Sequence, residues 1–249
     1  MSKIELIITE NYDQMSQRAA DIFIDLLKRK PNAILGLATG STPIGLYKKL
    51  IEKNKEKEIS FKDVVTYNLD EYCDIPQDHE QSYFTFMNEN LFKHIDINKN
   101  NTHLPKGEGD SKLNAENYEN ELKKVKIDIQ LLGIWSNGHI GFNEPGTDFD
   151  IGVHEVQLTE NTIKDNARFF ENDLNKVPKK AITMGVKNIL DADTIILVAN
   201  GVNKANAIKS VMSGVIDKNV PASALNMHKG KVYVIVDKEA ASKLWNKNL

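Results

Sequence analysis

Short apolar runs alternate with longer stretches of helical periodicity along almost the whole chain, and that alternation most restricts what it can fold into. Ile4–Thr9, Ala33–Ala38, Val64–Leu69, Ile127–Ile134, Asp193–Asn200 and Val232–Val236 read as strands. Several are apolar at consecutive positions, as in strands buried on both faces. Between them, Tyr12–Lys30, a segment through Tyr47, Leu50 and Ile51, Ser82–His94, Asn114–Lys124, Lys204–Met212 and Lys238–Trp245 read as helices. Strands alternating with helices predict an α/β fold, a doubly wound, mostly parallel sheet with flanking helices. Residues 146–181 are polar and poor in apolar runs, which marks them as an irregular excursion and a candidate lid.

Length and charge narrow the class further. A chain of 249 residues, 41% hydrophobic and 27% charged, can bury the core of one large α/β domain spanning residues 1–249. A net charge of −3 with both signs interspersed predicts neither a nucleic-acid partner nor a membrane surface. There is no apolar run of about 18 residues and no signal-peptide pattern, so a cytoplasmic location is expected. The single cysteine, Cys73, excludes an internal disulfide and any multi-cysteine metal site.

Three stretches that could carry chemistry each follow a predicted strand, so they can share the rim where open parallel sheets bind ligands. Thr39-Gly40-Ser41-Thr42 lies between a strand and a helix, with Thr42 suited to the N-cap and Pro43 to the first helical position. Free N–H groups there, with the hydroxyls, would form an anion cradle. It is neither a P-loop nor a dinucleotide fingerprint, and a plain capped turn is the competing reading. Asp70-Glu71 ends the third strand; neighbours on a strand face opposite ways, so only one carboxylate should enter a given cleft. Asn137-Gly138 turns the chain sharply before His139, with Asn143 and Glu144 close behind, so His139 and Glu144 could form a base and its orienting partner. Arg168 and Lys204 are isolated cations that a sugar phosphate would need in addition to a backbone cradle. Asp70, His139 and Glu144 match no zinc spacing, which favours a metal-free acid/base site.

Five motifs occur in order: Leu37-Ala-Thr-Gly-Ser-Thr-Pro43, Asn68-Leu-Asp-Glu-Tyr72, Asn137-Gly-His-Ile-Gly-Phe-Asn-Glu-Pro145, Ala167-Arg-Phe-Phe170 and Val177-Pro-Lys-Lys-Ala-Ile-Thr-Met-Gly185. Together they resemble the glucosamine-6-phosphate deaminase family over nearly the whole chain. The resemblance implies a Rossmann-like sheet with a mobile lid, and conversion of glucosamine 6-phosphate and water to fructose 6-phosphate and ammonium. It implies Asp70 as the base that moves a proton between C2 and C1. His139 would shuttle the proton that opens the sugar ring, and Glu144 would orient it. Asn137 stands where some members carry Asp, leaving His139 one acidic partner instead of two. Thr39, Gly40, Ser41, Thr42, Arg168 and Lys204 would hold the phosphate. No metal or redox cofactor is implied.

Two departures from that family pattern stand out. Trp135 occupies a position where the family usually has glycine; either the loop relaxes and the indole packs aside, or its bulk beside the cleft alters access or activity, and some loss of activity is the expectation. The segment Thr147–Val156 carries three acids and no Arg or Lys, where allosteric hexameric members place basic residues for N-acetylglucosamine 6-phosphate. An acidic segment repels phosphate, so no such activation is expected, and a monomer or small homo-oligomer. Two readings compete. A 6-phosphogluconolactonase has a related fold but no need of the Asp70-Glu71 pair. A non-catalytic sugar-phosphate sensor would be expected to carry a DNA-binding segment, for which a first strand at Ile4 leaves no room; Trp135 is the feature that favours it.

Overall fold

The computed structural model describes residues 3–245. Ten strands and seven α-helices follow one another as β1 Lys3–Thr9, α1 Tyr12–Arg29, β2 Ile34–Leu37, α2 Ile44–Lys55, β3 Val65–Asn68, β4 Asp70–Tyr72, α3 Tyr83–Asn90, β5 Thr102–His103, α4 Ser111–Leu122, β6 Ile129–Leu132, β7 His154–Gln157, α5 Glu160–Asn166, β8 Lys180–Thr183, α6 Val186–Leu190, β9 Thr194–Ala199, α7 Ala205–Met212 and β10 Lys231–Asp237. Seven strands form one parallel sheet in the order β1-β10-β9-β6-β2-β3-β5. The predicted α/β class and mostly parallel sheet are therefore what the chain forms.

Burial explains the sheet. β6 is buried at all four positions and β9 at five of six, so both faces are covered and the strands read as continuous apolar runs. Helix α1 forms because Met15, Ala19, Phe23 and Leu27 recur on one face, Asn11 caps its first turn and Pro31 follows its end.

The strand order has one switch point. From β2 the chain steps outward through β3 to β5; from β6 it steps the other way through β9 and β10. β2 and β6 are neighbours, so the loops leaving their carboxyl ends diverge and open a crevice.

Several boundaries differ from the sequence reading. The strand expected to end in Asp70-Glu71 stops at Asn68, and Asp70–Tyr72 begins a second sheet, three antiparallel strands in the order β4-β8-β7. Residues 146–181 are not irregular: they hold β7, α5, a 3-10 turn at Ala167–Phe169 and the start of β8. β7 reads His-Glu-Val-Gln, with no apolar run to betray it, and its ladder with β8 supplies the order. The stretch Lys238–Trp245 forms turns instead of a last helix.

Gly138 marks a point where the backbone leaves no choice. Its φ is +85°, and a Cβ there would lie 2.6 Å from Val220 Cγ1, while its carbonyl accepts from the Ala222 N–H. Gly138→Ala should lose about 1–3 kcal/mol of stability. Urea unfolding of the two proteins side by side checks this; equal midpoints would show that the turn relaxes freely.

Candidate active site

A cleft of about 310 Å³ opens at the switch point. Its lining brings together Thr39, Gly40, Ser41, Thr42, Asp70, Arg168 and Lys204, seven of the ten residues singled out in the sequence. Asn137, His139 and Glu144 do not line it; His139 packs against the Trp135 indole, which does.

One end of the cleft is backbone. After β2, Gly40 takes φ +92°, a left-handed turn that a side chain would strain. Helix α2 starts at Ile44 with Pro43 at its N-cap and no side-chain cap, so Thr42 does not fill the capping role expected of it. The Tyr12 hydroxyl takes that role: it accepts from the Gly45 N–H at 2.8 Å and donates to the Thr42 carbonyl at 3.0 Å. The N–H groups of residues 39–42 make no backbone hydrogen bond among the described residues. Those free donors, next to a helix start, are the features of an anion site.

The acidic pair separates as strand geometry requires. Glu71 points away from Asp70 and accepts N–H bonds from Tyr72, Tyr83 and Phe84 at 2.8–2.9 Å, two of them at the start of α3. Burial pushes its carboxyl up to about 7 against those three donors. Asp70 faces the cleft with no hydrogen bond to its carboxylate among the described residues. Burial, reinforced by the charge of Glu71, lifts it to about 8. Tyr72, Tyr83, Phe142 and Phe170 pack ring against ring beside it, with Tyr72 4.7 Å from Tyr83 and 5.9 Å from Phe142. This second small core dries the carboxyl.

The third stretch is a tight loop. The Gly138 N–H donates to the Trp135 carbonyl and the Trp135 N–H to the His139 carbonyl, so residues 135–139 are pinned end to end. His139 is 2% exposed; its Nδ1 lies 3.2 Å from Glu144 Oε2, but the approach is too bent for an aligned hydrogen bond, and Nε2 is buried without a partner. Glu144 is held in turn. Thr162 and Thr159 donate hydroxyls to its Oε1, and Asn137 Nδ2 donates to Oε2 at 3.3 Å. Burial pulls the Glu144 carboxyl upward, but the contact with His139 and the two hydroxyls outweigh it and set it at about 2. Glu144 is thus an anion at neutral pH.

Trp135 links the cleft lining to the buried histidine. Its indole stacks on the His139 imidazole, with centroids 5.1 Å apart and planes 29° apart, and carries Lys204 Nζ 5.5 Å from its centre. Burial lowers the Lys204 ammonium, and the nearby Arg168 charge lowers it further. Arg168 rests over the Phe169 ring at 4.7 Å. Two cations thus converge on the cleft with neither in an ion pair among the described residues.

Comparison with known proteins agrees with this geometry. The family model described as glucosamine-6-phosphate isomerases/6-phosphogluconolactonase matches residues 9–234. The chain belongs to that family. The glucosamine-6-phosphate deaminase of Mycoplasma mycoides subsp. mycoides SC is 50% identical over 250 residues, covering 98% of each chain. That of Thermoanaerobacter sp. is 50% identical over 248, covering 99% of this chain and 97% of the other. A solved monomeric glucosamine-6-phosphate deaminase superposes with a TM-score of 0.93 at 43% identity, over 96% of this chain and 99% of that one. The 6-phosphogluconolactonase from Trypanosoma brucei, 19% identical over 98% of this chain and all of its own at a TM-score of 0.81, shares the fold.

Within this glucosamine-6-phosphate isomerase family member, sequence reading missed Thr159, Thr162 and the aromatic wall around Asp70. Thr159 carried a usable signal, since it N-caps α5 and accepts from the Thr162 N–H at 3.2 Å. Tyr72, Tyr83 and Phe170 carried none, because their convergence depends on the second sheet. Asp70 also sets a pH dependence of stability. The unfolded carboxyl loses its proton near 3.8 and the folded one near 8, so stability falls as pH rises between those values, by up to about 1.4 kcal/mol per pH unit. Asp70→Asn abolishes that slope, so urea midpoints at several pH values should show the variant gaining on the parent from pH 4 to 8. Parallel curves would mean Asp70 is not desolvated.

Proposed function

We propose that this chain converts glucosamine 6-phosphate and water into fructose 6-phosphate and ammonium. The observation that carries this reading is Asp70: a dry carboxyl facing a cleft whose far end offers free N–H groups and two cations. A base that holds its proton until about 8 is matched to removing one from carbon near neutral pH. Lactone hydrolysis removes no proton from carbon and needs a base only for the attacking water.

The phosphate would dock on the N–H groups and hydroxyls of Thr39, Gly40, Ser41 and Thr42 with Arg168 and Lys204, and its binding energy would orient the sugar. His139, backed by the Glu144 anion, would take the anomeric hydroxyl proton and return one to the ring oxygen, opening the ring. Asp70 would then remove the C2 proton and deliver it to C1, shifting the double bond so that C2 becomes an imine. Water adds at C2, the C–N bond breaks, and ammonia leaves with the ketose behind. Asn137 would hold Glu144 and the loop through its side-chain bonds. No step calls for a metal or redox cofactor.

We further infer that residues 146–181 close over the cleft as a lid on a single domain, because α5 and Phe170 supply its outer wall while Thr162 grips Glu144. No described helix is long and apolar enough to cross a membrane, and a cytoplasmic enzyme acting as a monomer or small homo-oligomer fits this reading. The segment Thr147–Val156, with three acids and no Arg or Lys, argues against activation by a sugar phosphate.

Ammonia release from glucosamine 6-phosphate tests the assignment. Asp70→Asn should lower kcat about 10²–10⁴-fold, and in the parent kcat/KM should climb with pH through about 8 as Asp70 ionises. No release by the parent, with the phosphate still bound, would leave a binding protein. Arg168→Ala should raise KM about ten- to hundredfold with a smaller change in kcat; an unchanged KM would remove Arg168 from the phosphate site.

A further inference from the structure

Trp135 touches both a cation of the cleft and the buried histidine. It lines the cleft, stacks on His139 and lies under Lys204 Nζ. His139 does not line the cleft, is 2% exposed, and leaves Nε2 buried without a partner. An imidazole acting on a sugar needs that nitrogen within hydrogen-bond reach of the ligand; in this conformation the ring lies outside the cleft lining, and the indole stacked on it is part of that lining. Backbone bonds tie Trp135 to His139 and Gly138 and hold the loop's path, leaving the side-chain torsions of Trp135 as the freedom the loop retains.

We propose that Trp135 is a phosphate-released cover over His139. This rests on the phosphate cradle assigned above. In the resting state Lys204 sits over the indole and holds it against the imidazole. A phosphate entering the cradle offers the ammonium a full negative charge, a stronger partner than a ring face. Lys204 transfers to the phosphate, the indole loses its clamp and swings off, and His139 is uncovered once the sugar has docked. No bond is made or broken in this step. Trp135 is a positioning residue: it couples phosphate binding to access at the other end of the substrate.

The distinguishing readout is the sign of the phosphate effect on His139. Ordinarily a ligand shields a site histidine; here inorganic phosphate should speed reaction of His139 with diethyl pyrocarbonate, followed by peptide mass mapping. The release of one cation–π contact sets the expected acceleration at about two- to thirtyfold. Trp135→Gly should react fast with or without phosphate, and Trp135→Phe should keep the phosphate response. With Trp245→Phe, Trp135 is the sole indole, and saturating phosphate should shift its emission.

Slower or unchanged modification of His139 in the parent, with phosphate shown bound by calorimetry, would overturn the cover, as would an emission spectrum that phosphate leaves unmoved. Absence of phosphate binding would remove the cradle and the cover together. Phosphate-accelerated modification in a protein that releases no ammonia would leave the cover standing and sink the deaminase reading alone.

Discussion

The whole site depends on a change of sheet at Leu69. Its N–H donates to the Leu37 carbonyl in the parallel sheet, and its carbonyl accepts from Met184 in the antiparallel one. One residue later the chain pairs with β8, so Asp70 and Glu71 belong to a strand whose two faces meet different surroundings. Glu71 faces the N–H groups opening α3 and Asp70 faces the cleft. Had β3 run straight on, both carboxylates would end at a wet sheet edge and neither proton affinity would be displaced.

That arrangement leaves charge and polarity where a stable fold would not put them. The carboxyl of Asp70 is dry, Nε2 of His139 has no partner among the described residues, and Arg168 lies beside a half-buried Lys204. Each lowers stability, and the continuous apolar core of the seven-stranded sheet offsets them. Grouped in one cleft and against its wall, such groups are the expected mark of a working site more than of a structural network.

Much of this was legible in the sequence because it follows from local pattern. The parallel strands announce themselves as unbroken apolar runs, and their carboxyl ends locate the Thr39 loop, Asp70 and the His139 loop near one rim. Alternation along a strand even predicted that Asp70 and Glu71 would part. What escaped was tertiary. β4, β7 and β8 are three or four residues each and half polar, so only their mutual pairing reveals them. The cap of α2 comes from Tyr12, 33 residues from the Gly45 it serves, which no local rule anticipates. Trp135 was visible as a departure from the family, but its contacts with His139 and Lys204 were not.

The edge of the large sheet has a consequence for synthesis. β1 has a single sheet neighbour, β10, paired in register from Lys3 with Lys231 to Thr9 with Asp237. A ribosome adding about 5–20 residues per second needs roughly ten to fifty seconds to span that separation. Throughout that interval β1 has no ladder to join, and its apolar residues, with the face of α1 that packs on β10, must be kept from other chains. The sheet therefore cannot close at β1 until β10 has been made, and a nascent chain cut short before β10 cannot complete the fold however well its central strands have formed.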